Sequence, residues 1–208
     1  MRKNGFLLVK VAGLFIAAVL LASCYAPLAD QKGFLNIDLR AGARSGPGLG
    51  ATSQVIVLVI NADYEASLRE TLWLIDKGKN QPGLSGAEAD RLTELGKQMA
   101  TSGLVKFGGF PFYQTTISGT GPGSFEIPGV PAGRAYFVKL YVFKPNFSFK
   151  VEDIDANFGG LILYENPVFG TQGSEVYTTP WADWPAGQSV PVTEGQSAAI
   201  NMTLAPPP

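Results

Sequence analysis

Gln54-Val55-Ile56-Val57-Leu58-Val59-Ile60 is the most apolar strand that the sequence predicts. Successive side chains of a strand point to opposite faces, so Val55, Val57 and Val59 share one side and Ile56, Leu58 and Ile60 the other. A strand that is apolar on both faces must be covered on both, which makes this one central. The segments on either side of it are then sought as its cover.

Upstream, Gly33 to Arg40 alternates Leu35, Ile37 and Leu39 with Asn36, Asp38 and Arg40, the period-2 pattern of a half-buried strand. Residues 41–52 hold Gly42, Gly46, Gly48 and Gly50 with Ser45 and Pro47, and form a loop. Downstream of Phe110, strands are predicted at Phe112 to Ser118, Ser124 to Pro128, Arg134 to Lys144, 160–165, 174–178, 188–193 and Ser197 to Leu204. In Arg134 to Lys144, Tyr136, Val138, Leu140 and Val142 face one way, while Ala135, Phe137, Tyr141 and Phe143 share the other with Lys139. Val130-Pro131-Ala132-Gly133 is a turn, as is Glu194-Gly195-Gln196, after which Ile200, Met202 and Leu204 point inward.

Residues 61–110 interrupt this pattern. Ala66 to Asp76 fits a helix that uses Leu68, Leu72 and Ile75, or a strand, and periodicity leaves both open. Ser85 followed by Glu88 makes a capping box, and Ala89, Leu92, Leu95 and Met99 form one stripe, which predicts a helix over about 86–101 that stops near Gly103. Its stripe suits a lid over an open sheet face better than a partner-binding surface, because an exposed row of Leu invites aggregation. The expected fold class is mainly β, an antiparallel β-sandwich with a short helical insertion at about 61–110, in one domain over 33–205.

Composition narrows the chemistry. With 46% hydrophobic residues in 208, the chain can bury a core of its own. Histidine is absent, which excludes His-based triads and His zinc sites. The single cysteine cannot make an internal disulfide. The formal net charge is -1, and Arg2, Lys3 and Lys10 all precede Cys24, so the remainder is more acidic still. Such a balance argues against a nucleic-acid partner, whose phosphates require clustered cations.

Residues 1–23 have the layout of a signal peptide, with Arg2, Lys3 and Lys10 ahead of an apolar run from Val11 to Ala22 that is short for a membrane span. Leu21-Ala22-Ser23-Cys24 resembles the lipobox of bacterial lipoproteins. That resemblance implies cleavage before Cys24, a thioether-linked diacylglycerol on its sulfur and an acyl group on its amine, with residues 24–32 as a tether. Several acyl chains, at roughly 0.8 kcal/mol per buried CH2, make such an anchor effectively permanent. It also implies a place in the bacterial cell envelope, and Tyr25, standing where an Asp would favour inner-membrane retention, leans toward the outer membrane.

Phe125-Glu126-Ile127-Pro128-Gly129-Val130-Pro131-Ala132-Gly133 before a long strand, and Val192-Thr193-Glu194-Gly195-Gln196 before an apolar terminal one, resemble the carboxypeptidase regulatory-like and transthyretin-like β-sandwich domains. The family places an aromatic two residues after the turn glycine, where this chain has Ala135 with Tyr136 one later, which implies a register shift or a bulge. The resemblance implies an Ig-like/transthyretin-like sandwich and a non-catalytic binding or structural role.

Two local patterns suggest ligands. Asp153, Asp155, Asn157 and Glu165 place alternate oxygens and a later carboxylate as calcium requires, with Phe158 at the expected glycine position and the glycine moved to Gly159. The competing reading is a solvated acidic loop. Tyr177, Trp181 and Trp184, among Pro180 and Pro185, suit a platform for a glycan or protein partner, or cap one end of the core. No nucleophile-base motif, phosphate loop or dinucleotide fingerprint is present, so the chain reads as a non-enzymatic module at a membrane surface. The alternatives are a carboxylate-dependent glycan hydrolase, which needs two acids converging in a cleft, and a calcium-stabilised adhesin.

Overall fold

A computed structural model of the chain describes residues 31–41, 53–79, 83–117, 123–143, 176–178 and 189–204. The elements are β1 (Lys32–Ala41), β2 (Ser53–Asn61), α1 (Glu65–Lys79), α2 (Gly86–Gln98), β3 (Tyr113–Ile117), β4 (Ser124–Pro131), β5 (Arg134–Phe143), β6 (Val176–Thr178), β7 (Val190–Val192) and β8 (Ser197–Leu204). The fold is mainly β, with two sheets and two short helices. One sheet runs β4-β1-β8 and the other β3-β2-β5-β6, with β7 also paired to β5.

β2 is central in its sheet and covered on both sides, as its sequence requires. Val55, Val57 and Val59 pack with Leu35, Ile37 and Leu39 of β1, Ile127 of β4 and Tyr136, Val138, Leu140 and Val142 of β5 in the layer between the sheets. Ile56, Leu58 and Ile60 pack on the opposite face with Phe137, Tyr141 and Phe143, beneath Leu68 of α1, Met99, Leu104 and Phe112. The two-faced division expected of β5 is therefore present. Lys139, paired in register with Leu58, lies on the helix-side face with no exposed surface, its Nζ 5.9 Å from the Tyr141 ring centroid. An ammonium so far from water gains more from a ring face than an exposed one does.

The open alternative over 66–76 resolves to helix. Leu68, Thr71 and Leu74 are its buried residues, while Trp73 is 57% exposed. In α2, Leu95 is buried and Leu92 half-buried, with Met99 buried just beyond, as a lid requires, although Ala89 is exposed. The two helices are clasped by charge. Arg91 donates to both carboxylate oxygens of Glu70, at 2.8 and 2.7 Å, and Lys77 pairs with Glu88. Glu88 also accepts from the backbone N–H of Ser85, whose hydroxyl accepts from the Glu88 N–H, so the capping box is complete.

The Lys77 ammonium, then the Ser85 donors, hold the Glu88 carboxyl down at about 2 from an ordinary 4.5. A carboxyl depressed on folding stabilises the fold above its unfolded pKa, and that contribution fades as pH falls through the folded one. We expect the melting-temperature advantage of the native chain over Glu88→Gln to be full at pH 6, to shrink below pH 4.5 and to vanish near pH 2. Thermal melts of both chains across that window check it.

Four expectations are corrected. The sandwich is not wholly antiparallel: β1 pairs with β8 in parallel, Phe34 opposite Ser197 through Ala41 opposite Leu204, because the first and last strands run the same way side by side. The strand expected to end at Pro128 continues to Pro131, which still pairs with Lys32. It does so because β4 bulges at Gly129, an extra residue at φ +74° between Pro128, which faces Phe34, and Val130, which faces Gly33. The irregularity anticipated near Ala135 thus falls in β4, at Gly129, while β5 keeps an unbroken register with β2 and β7. Lys32, assigned to the tether from sequence, is the first residue of β1. The expected strand at 160–165 lies outside the described residues.

Candidate functional site

Irregular backbone gathers at one end of the sandwich. The β4 bulge at Gly129 (φ +74°), Gly133 at φ +78° and a π-helical turn over Met99–Gly103 that ends α2 all lie there. Bulges and π turns are enriched where a fold presents a site, since each interrupts a regular ladder to re-aim a side chain. Between them opens a cleft of about 720 Å³, floored by Leu104, Ala132 and Tyr136 and edged by Asn61, Ser102, Lys32, Lys106 and Arg134.

Tyr136 fixes the cleft wall. Near the start of β5, it is 1% exposed and its hydroxyl donates to the Pro131 carbonyl at 2.7 Å, which ties the strand to the turn before it. Burial pushes the phenol pKa up, so the hydroxyl keeps the proton that it donates. On the other side Gly103 is closely packed, since a Cβ there would stand 3.2 Å from Cγ of Tyr64. At the rim Asn61 caps the turn Ala62–Tyr64: its side-chain oxygen accepts from the Asp63 N–H at 3.0 Å, and its amide donates to the Asp63 carboxylate at 3.1 Å. Asp63 lies 3.5 Å from a guanidinium nitrogen of Arg134, with both side chains mostly in solvent.

The cleft is cationic. Lys32, Lys106 and Arg134 line it, and no Asp or Glu does so among the described residues. Lys32 and Lys106 have no carboxylate partner among those residues. An anionic group entering here meets cations held on three different segments.

Comparison with family models, curated proteins and solved structures finds no match. What the chain binds must therefore be argued from its own residues.

Of the candidates chosen from sequence, Tyr177 alone is among the described residues. Cys24, Asp153, Asp155, Asn157, Glu165, Trp181 and Trp184 lie outside the described residues. Tyr177 is in β6, its backbone paired with Val142. Among the described residues there is no group of three or more Cys, Asp or Glu suited to a metal, and no helix is long and apolar enough to cross a membrane. The cleft residues escaped sequence reasoning because positions 32, 106 and 134 share no local motif. The one local signal is the turn Val130-Pro131-Ala132-Gly133, whose last three residues line the cleft.

Proposed function

We propose that the protein is a lipid-anchored envelope lipoprotein that acts as a non-enzymatic binding module at a membrane surface, with the cationic cleft as its ligand site. The observation that carries the binding role is the convergence of Lys32, Lys106 and Arg134 on a cleft whose described lining contains no carboxylate. A hydrolase of the carboxylate type needs two acids across its cleft, and this one offers cations instead. The lipid anchor rests on Leu21-Ala22-Ser23-Cys24 and the charged, apolar segment before it.

We take the sandwich to be of the Ig-like/transthyretin-like kind. Two features support that type: the parallel pairing of the first and last strands, and the Tyr136 hydroxyl turned back to a carbonyl five residues upstream, the arrangement of a tyrosine corner.

Replacing the anchor residue tests the membrane role. Cys24→Ser, expressed in a bacterium with lipoprotein processing, should leave the membrane pellet for the soluble fraction or accumulate as the uncleaved precursor. Retention in the membrane with normal processing would overturn the anchor.

A further inference from the structure

The route by which the chain reaches the domain bears on which ligand the cleft meets. The Ala132 N–H donates to the Gln31 carbonyl at 2.8 Å, and the Gly195 N–H donates to the Lys32 carbonyl at 3.0 Å. Gln31 and Lys32 are thereby pinned to the turns at the cleft end, and Lys32 is itself a cleft residue. The described chain therefore enters the domain at the cleft rim. Gln31 is seven residues beyond Cys24, a reach of at most about 25 Å. A lipid on Cys24 would hold the three cations close to a phosphate surface.

Resting on the lipid anchor proposed above, we infer that the cleft docks the anionic phosphate headgroups of the same bilayer and so sets which end of the sandwich faces the membrane. Overall charge does not favour the approach, since the chain has a formal net charge of -1 and loses three cations with the residues before Cys24. The helix pair is close to neutral, with six acidic and five basic residues, whereas Lys32, Lys106 and Arg134 gather where the tether begins, with Asp63 beside Arg134. Such a charge distribution orients an anchored domain even where it would not recruit a free one. The pair Arg134–Asp63 is solvent-exposed at 3.5 Å and holds its arginine only weakly against a phosphate competitor. Each cation near an anionic surface contributes roughly a fivefold gain in occupancy, and tethering removes the cost of finding the surface.

Lysine acetylation read by mass spectrometry tests this on the full-length, lipid-bearing protein in nanodiscs. In discs of phosphatidylcholine with phosphatidylglycerol, Lys32 and Lys106 should react at least about threefold more slowly than in phosphatidylcholine alone. Exposed Lys97 on α2 should not change, and 0.5 M salt should erase the difference. Equal rates in the two discs overturn the inference. So does protection by millimolar glycerol 3-phosphate in neutral discs without protection by anionic discs, which would make the ligand a free phosphate. The intact mass of the same sample separates the two claims. A lipid-bearing chain with equal rates removes the cleft assignment and leaves the anchor, whereas a chain without lipid removes both.

Discussion

Gly33→Ala should destabilise the domain by about 3 kcal/mol, at the upper end of what one added methyl costs in a packed interior. A Cβ at this position would stand 2.5 Å from the Thr193 carbonyl oxygen and 2.6 Å from Cγ1 of Val192, with the Gln196 oxygen at 3.1 Å. Two of those three atoms are backbone, and the backbone is held. The turn between β7 and β8 is stitched to β1 by the Gly195 N–H to the Lys32 carbonyl and the Phe34 N–H to the Gln196 carbonyl, both at 3.0 Å. Relief requires that β1 part from this turn, which would also disturb the bulge that lets β4 run on to Pro131. Gly86→Ala is the control. Nothing lies within 4 Å of a Cβ there, at the first turn of α2, and the change should be neutral or slightly stabilising. Urea unfolding of the two variants measures the contrast, and a loss below about 0.5 kcal/mol at Gly33 would mean that the close approach is not there.

Leu58→Ala should cost about 2–5 kcal/mol, the range for a leucine truncated in a core that collapses only in part. Leu58 has no exposed surface and packs in the layer between the second sheet and the helical insertion, not in the layer between the sheets. A two-layer sandwich with an open outer face would leave this side chain in water, and its loss would then be nearly neutral. Val57→Ala, on the opposite face, removes less volume and should cost less, although it too lies in a closed layer. Clear losses at both neighbours, the larger at Leu58, would show that the helix side is as much a core as the sheet side. A near-zero effect at Leu58 would contradict the three-layer arrangement.

Much of this architecture is legible in local periodicity, because a residue's face in a strand follows from its parity alone. The division of β2 and β5 into two apolar faces, with Lys139 among the aromatics of one, needs only counting by twos. The capping box of α2 is legible for the same reason, since Ser85 and Glu88 satisfy each other's backbone donors within one turn. Less was visible in α1, where Leu72-Trp73-Leu74-Ile75 is apolar all round, so the buried row of Leu68, Thr71 and Leu74 has no unique signature. Trp73 stays outside and lies 5.4 Å, ring centroid to Nζ, from Lys77 of the same helix.

Features that depend on a distant partner were not legible. The bulge in β4 exists only against its partner, since Gly33 and Phe34 of β1 face Val130 and Pro128 and leave Gly129 over, and the parallel match of β1 with β8 joins the two ends of the domain. The cleft belongs to this class, as Lys32, Lys106 and Arg134 become neighbours only once β1, the π turn and the β4–β5 turn meet at one end of the sandwich. Isolated lysines in a sequence carry no sign of which of them will converge.

Membrane attachment through Cys24 is the claim on which the functional reading turns, and intact-mass spectrometry of detergent-extracted protein measures it directly. We predict a chain that begins at Cys24 and carries a diacylglyceryl thioether with an acylated amine. A mass matching the chain from Met1, or a processed chain with a free thiol at Cys24, would contradict it.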